Sequence, residues 1–133
     1  MKDVFVDTSG FYALLDGSDP FHTRAATCFE RAFREGWNLF TTNYVVQETW
    51  AVVQARLGWD AVDGWRDRIL PRCNVLWIDA SLHALGEARC RQARQRRLSL
   101  TDCVSIESMR GRKCSEVIGN DEHFLREGFR IPA

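Results

Sequence analysis

The residues best placed to do chemistry in this chain are four acids in four separate segments: Asp7, Glu48, Asp102 and Asp121. Glu48 poses the sharpest question. The stretch "TTNYVVQETW" (41–50), read on to Gly58, has the spacing of a helix starting near Tyr44. On that helix Glu48 shares a stripe with Tyr44, Val45, Ala51, Val52 and Ala55. The opposite side, with Val46, Trp50, Val53 and Leu57, is also apolar, which predicts a helix covered on both sides. The polar positions form two thin seams, Gln47 with Gln54 and Thr49 with Arg56, and Glu48 belongs to neither. An unpaired buried carboxylate costs several kcal/mol, so Glu48 must be neutralised, paired with a buried arginine or placed on a metal.

Each of the other acids has a plain structural role available. Asp7, with Thr8 and Ser9, can cap the next helix, and Asp102 can close a capping box with Ser99. Asp121 sits in "GNDEHF", a stretch suited to a turn or cap. Brought together, however, four carboxylates repel one another unless a cation holds them or some stay protonated. An all-oxygen set with no obligatory His or Cys suits Mg²⁺ or Mn²⁺. Two such ions about 3.5–4 Å apart can activate a water and stabilise the leaving oxygen in phosphodiester cleavage.

The elements between the acids say whether they meet. "DVFVD" reads as a first strand ending at Asp7, and Gly10 to Leu15 as a short helix stopped by "DGSDP". Phe21 to Glu35 has helical spacing, with Gly36 as its stop. "NLFTT" is a second strand, followed by the Glu48 helix and a further helix from Asp60 to Leu70. "NVLWID" is a third strand, Ser81 to Arg96 a long helix, and "SLTDCVSIESMRG" another. "EVIGND" is a fourth strand ending at Asp121, and "FRI" a candidate fifth. This alternation predicts an α/β fold with a mostly parallel central sheet of four to five strands flanked by helices. Ligands of such sheets bind beyond the carboxyl ends of the strands, where Asp7 and Asp121 end theirs and the helices of Glu48 and Asp102 begin.

Composition narrows the rest. A chain of 133 residues, 45% apolar and 27% charged, suits one folded domain, here 1–133. No apolar run approaches a membrane span and the N-terminus lacks a signal-peptide core, so a cytoplasmic location is expected. Cys28, Cys73, Cys90, Cys103 and Cys114 are scattered, without a C-x-x-C pair, and read as reduced packing residues. Net charge is zero, which leaves no global field toward nucleic acid. Locally, "RCRQARQRR" places five arginines between Arg89 and Arg97. It reads either as a solvated helix end or as a phosphate-binding rim of Arg94, Arg96 and Arg97.

The blocks "VDTSGFYALLD", "TTNYVVQET", "LSLTDCVSIESM" and "IGNDEHFLREGF", in this order and spacing, resemble the PIN-domain ribonucleases, most of all the VapC-type toxins and their unpaired relatives. The resemblance covers essentially the whole chain. It implies a three-layer sandwich and a metal site made of Asp7, Glu48, Asp102 and Asp121, with Thr8 as the hydroxyl residue that helps hold it. It implies Mg²⁺- or Mn²⁺-dependent hydrolysis of single-stranded RNA, with Asp7 and Asp102 as principal ligands. It also implies a homodimer and an antitoxin protein as partner.

A dehalogenase-like phosphatase would need a second Asp at the position of Ser9, and a receiver domain would need paired acids and a lysine near the last strand. Neither pattern is present. The remaining rival is a non-catalytic PIN-like module that binds RNA or protein. His22, His83 and His123 are isolated and read as structural or surface residues, with His123 alone expected near the site. Trp59 and Trp65, in "LGWDAVDGW", are candidates for an exposed apolar patch.

Overall fold

A computed structural model describes residues 1–133. Its sheet has four strands: β1 (Asp3–Val6), β2 (Asn38–Thr42), β3 (Asn74–Leu76) and β4 (Val117–Ile118). Their spatial order is β3-β2-β1-β4 and every pairing is parallel. The candidate fifth strand is reduced to a single bridge between Glu116 and Arg130. Val4, Phe5 and Val6 are all fully buried, so neighbouring residues on opposite faces of β1 are both covered. That is the signature of a parallel sheet sandwiched between helices.

The helices are α1 (Thr8–Leu15), α2 (His22–Glu35), α3 (Asn43–Arg56), α4 (Trp59–Gly64), α5 (Ala80–Ala93), α6 (Leu100–Gly111) and α7 (Glu122–Arg126). On α2, Ala25, Cys28, Phe29 and Ala32 form the buried stripe that its spacing predicts, and Gly36 ends it in the left-handed conformation at φ 71°. Helix α1 lies so close to β4 that a Cβ on Gly10 would sit 2.1 Å from the Ile118 carbonyl oxygen. A residue with a side chain there would push α1, and Asp7 with it, off the sheet edge.

Two expectations need correction. Helix α3 is not covered on both sides: its buried line is Val45, Thr49 and Val53, while Ala51 and Ala55 are exposed. Val46 and Trp50 line an open groove with Trp77, itself 75% exposed. Small alanines beside Glu48 count as apolar in a periodicity argument without needing cover. Trp65 is no surface residue either. The helix that begins at Trp59 passes into a π turn over Trp65–Ile69 and a 3₁₀ turn over Leu70–Arg72, and Trp65, three residues after buried Val62, lies on the same face and fully inside. There it packs edge-on to Phe11 at 5.7 Å and to Trp50 at 6.5 Å, leaving only Trp59 of that pair exposed.

Cys28, Cys73, Cys103 and Cys114 are buried packing residues, and Cys90 is half-buried. No helix is long and apolar enough to cross a membrane.

Candidate metal centre

The carboxyl edge of the sheet carries a cavity of about 280 Å³ lined by Asp7, Glu48, Asp102 and Asp121, the four acids singled out from the sequence. Three reach it because each sits at the mouth of a helix, and the capping roles open to them are all filled. The Asp7 side chain caps α1, accepting from the Ser9 N–H at 3.4 Å and the Ser9 hydroxyl at 2.9 Å, both through Oδ2. Asp102 closes a capping box on α6: its Oδ2 accepts from the Ser99 N–H at 3.1 Å while Ser99 Oγ accepts from the Asp102 N–H at 3.0 Å. Asp121 caps α7 through Oδ1, which accepts from the His123 N–H at 2.9 Å. Capping and ligation are therefore not rivals. The cap occupies one oxygen and fixes the carboxylate, and the other oxygen is left over.

The leftover oxygens show what the cavity lacks. Asp7 Oδ1 is buried and has no hydrogen-bond partner. Glu48 is half-buried in the second turn of α3 and makes no ion pair or hydrogen bond, so no buried arginine answers it. Five carboxylates line the cavity, Asp19 among them, against one arginine, Arg56.

The convergence has an electrostatic consequence. The Asp7 carboxyl is pushed up to about 7, first by burial and then by the Asp102 charge, with Glu48 adding to both effects and the Ser9 bonds opposing them. Asp102 is also raised, by burial first, with Asp121 and Glu48 contributing against the bonds from Ser99. Each of these acids feels the next, as carboxylates sharing one site do.

Other residues tie these acids together through contacts between distant segments. Ser9 is the hinge pin: its Oγ donates to Asp7 and accepts the Asn120 N–H at 3.1 Å, tying the first acid to the loop that carries the fourth. Thr8 receives a bond from the buried Thr49 hydroxyl at 3.4 Å, linking α1 to the helix of Glu48. Gly119 packs where a Cβ would lie 2.9 Å from Ser9 Oγ and 3.0 Å from Asp7 Cβ. The glycine in "IGND", directly after a strand, is the available signal for such a close approach.

His123 lies near the acidic cavity, as expected, and bonds one of its acids. Its Nδ1 lies 2.8 Å from Asp121 Oδ1, and ligand atoms of Asp102, Asp121 and His123 all fall within 4.8 Å of one another. His22 instead bonds the Ala13 carbonyl, and His83 pairs with Glu87. Arg94, Arg96 and Arg97 lie outside the acidic cavity and none lines it.

A cradle of fixed carboxylate oxygens, one of them buried without a partner, fits a hard divalent cation. A cation would offset both the burial and the mutual repulsion that raise Asp7 and Asp102.

The sequence matches the model of the PIN domain over residues 4–129. The fold is similar to the crystal structure of VapC20 of Mycobacterium tuberculosis, a sarcin-ricin loop cleaving toxin. The TM-score is 0.81 and the identity 26%, over 95% of each chain. It is also similar to VapBC2 of Rickettsia felis, bound to a DNA fragment from their promoter. There the TM-score is 0.66 and the identity 10%, over 98% of this chain and 97% of that one. No curated protein matches the sequence.

Proposed function

Because this chain belongs to the PIN-domain family, we propose that its acidic cavity is the centre of a divalent-metal-dependent endoribonuclease that hydrolyses single-stranded RNA. One observation carries the reading: a partnerless, buried oxygen on Asp7, which lines a cavity together with Glu48, Asp102 and Asp121. Five carboxylates against one arginine leave this cavity with negative charge that the protein itself does not answer. A non-catalytic module would have no reason to keep four acids at the cost of raising two of them.

In this reading Asp7, Glu48, Asp102 and Asp121 hold Mg²⁺ or Mn²⁺. When bound, the cation supplies Lewis-acid polarisation of a phosphoryl oxygen and lowers the pKa of a water. The protein's own part is positional. Ser9 and Ser99 lock Asp7 and Asp102 through caps that leave one oxygen of each free for the cation. His123 orients Asp121, as second partners of ligating carboxylates do. Thr8, through Thr49, holds α1 against α3 and so sets the spacing of Asp7 from Glu48.

The toxin role of VapC20 extends the proposal to a toxin of a toxin–antitoxin pair. An antitoxin or a second copy of the chain would cover apolar surface. The groove of Val46, Trp50 and Trp77, with exposed Trp59 beside Trp50, offers such a surface.

The test is incubation of purified protein with labelled single-stranded RNA in Mg²⁺, in Mn²⁺ and in EDTA, with Asp7→Asn alongside. Cleavage that needs the metal and is lost in the variant is the expected result. Cleavage that persists in EDTA or in Asp7→Asn would remove the carboxylate–metal reading.

A further inference from the structure

A second cavity, of about 450 Å³, opens among α5, α6 and α7. It adjoins the acidic one through a shared wall. His123 lines it, and His123 Nδ1 holds the carboxylate of Asp121, which lines the acidic cavity. Its volume lies within the roughly 300–1,000 Å³ typical of small-ligand sites.

The two spaces differ in charge. The lining of the second carries Arg89 and Arg126 against Glu107 and Glu127, and so is balanced without help. Arg89 is clamped by Glu127 at 2.6 Å and Glu107 at 3.3 Å. Balanced charge offers nothing to a phosphate. It suits a neutral, flat, partly polar group. Leu85, Ala88, Leu98 and Ile106 supply apolar wall, while Gln92 and Gln95 each carry amide donors and an acceptor that can match the edge of a heterocycle.

Resting on the ribonuclease reading, we propose that this cavity takes one unstacked nucleobase of the RNA strand whose phosphate lies at the acidic cavity. Single-stranded RNA is read by splaying a base out, stacking it and bonding its edges, and a guanidinium held by two carboxylates is a suitable stacking surface. The shared His123 wall sets the base beside the phosphate. Substrate choice then resides in this cavity, while the chemistry resides in its neighbour.

Ala88 and Gln92 are exposed on α5, so tryptophan at either position occupies the cavity without entering the core. Binding of short oligo-A, oligo-C and oligo-U is measured by fluorescence anisotropy, with Ca²⁺ in place of Mg²⁺. An abasic ribose-phosphate strand of equal length serves as the comparison. Ala88→Trp and Gln92→Trp are expected to weaken the tightest-binding homopolymer about tenfold and to leave the abasic strand within about twofold. Suppose the wild type binds and cuts RNA, yet both variants bind every strand as it does or lose affinity equally for based and abasic strands. The cavity then has another occupant and the inference alone is overturned. A wild type that neither binds nor cuts any RNA in Mg²⁺ or Mn²⁺ removes the ribonuclease reading, and this inference with it.

Discussion

Helices α6 and α7 bear two groups of acids built on opposite rules. At their N-terminal ends stand Asp102 and Asp121, which join Asp7 and Glu48 around a cavity with a single arginine in its lining. Farther along, Glu107 and Glu127 both bond one guanidinium, that of Arg89. The second group is balanced in charge within the protein, although Arg89 Nε is buried without a hydrogen-bond partner. The first is not, and its imbalance shows as a partnerless oxygen on Asp7 and as raised carboxyls on Asp7 and Asp102. Two acid clusters of unlike charge balance thus differ in what they demand. One answers its own charge, and the other carries negative charge that a bound cation would answer.

The largest effect that would break this contrast is on catalysis. Asp7→Asn should reduce cleavage of single-stranded RNA about a thousandfold, because a cation held by the remaining acids loses a principal ligand and several kcal/mol of barrier lowering with it. Initial rates under metal saturation measure this. A change below tenfold would place Asp7 among the caps and not among the ligands.

Next in size is a pH dependence confined to the acidic group. Asp7 titrates near 7 when folded and near 3.8 when unfolded, so between these values the native state binds more protons than the unfolded one. Stability is therefore full below the unfolded value and falls as pH rises through about 7, by up to about 4 kcal/mol. Asp102, raised by the same causes, adds a loss of the same sign. Metal-free protein should melt higher at pH 5 than at pH 8. Mn²⁺ should raise the melting temperature more at pH 8, and Asp7→Asn should stabilise the metal-free protein there. Calorimetry in EDTA and in Mn²⁺ across this range checks all three, and a flat profile would mean that the acids are answered within the protein.

The contrast sharpens if the same operation on the other group has the opposite sign. Arg89→Ala leaves Glu107 and Glu127 without their shared partner, with side chains 18% and 34% exposed. Breaking a pair at that depth should cost about 2 kcal/mol, between the values for exposed and buried pairs. The cost should be independent of added Mn²⁺. Denaturant midpoints with and without the ion test it; protection by Mn²⁺ would show that the two groups are one electrostatic unit.

Much of this arrangement is legible in the chain because it depends on local signals. Each cavity aspartate that the sequence singles out lies at a strand-to-helix junction or a helix N-terminus, and the alternation of strands and helices puts those ends on one edge. The Ser99–Asp102 capping box is visible as a spacing and exists as one. What local pattern does not encode depends on distance through space. The bond from the Asn120 N–H to Ser9 joins residues separated by 111 positions. His123 bonds Asp121, two residues before it, but its proximity to Asp102 depends on another helix. Trp65 follows buried Val62 at helical spacing, but its partners in the core, Phe11 and Trp50, are distant in sequence. Periodicity also buries Glu48 by treating the alanines beside it as covered, yet Glu48 needs shielding only on the side that meets the other acids.

The smallest expected effect concerns the arginines beyond both groups. Arg94, Arg96 and Arg97 stand at and just past the end of α5, beside Gln92 and Gln95 of the balanced cavity. None is bound into an ion pair of the kind that holds Arg89. Replacing all three by alanine should change stability by no more than about 0.5 kcal/mol, as surface substitutions do. If they touch the RNA backbone, affinity falls and the plot of log K against log salt becomes shallower by up to about 2, roughly 0.7 for each phosphate of a single strand that is no longer neutralised. Titrations at several salt concentrations distinguish this from a solvated helix end, for which affinity and slope both stay unchanged. A shallower slope with cleavage preserved at low salt would divide the molecule's work three ways. The acids would hold the ion, the balanced cavity the base and the arginines the strand. An unchanged slope would leave strand binding to the two cavities alone.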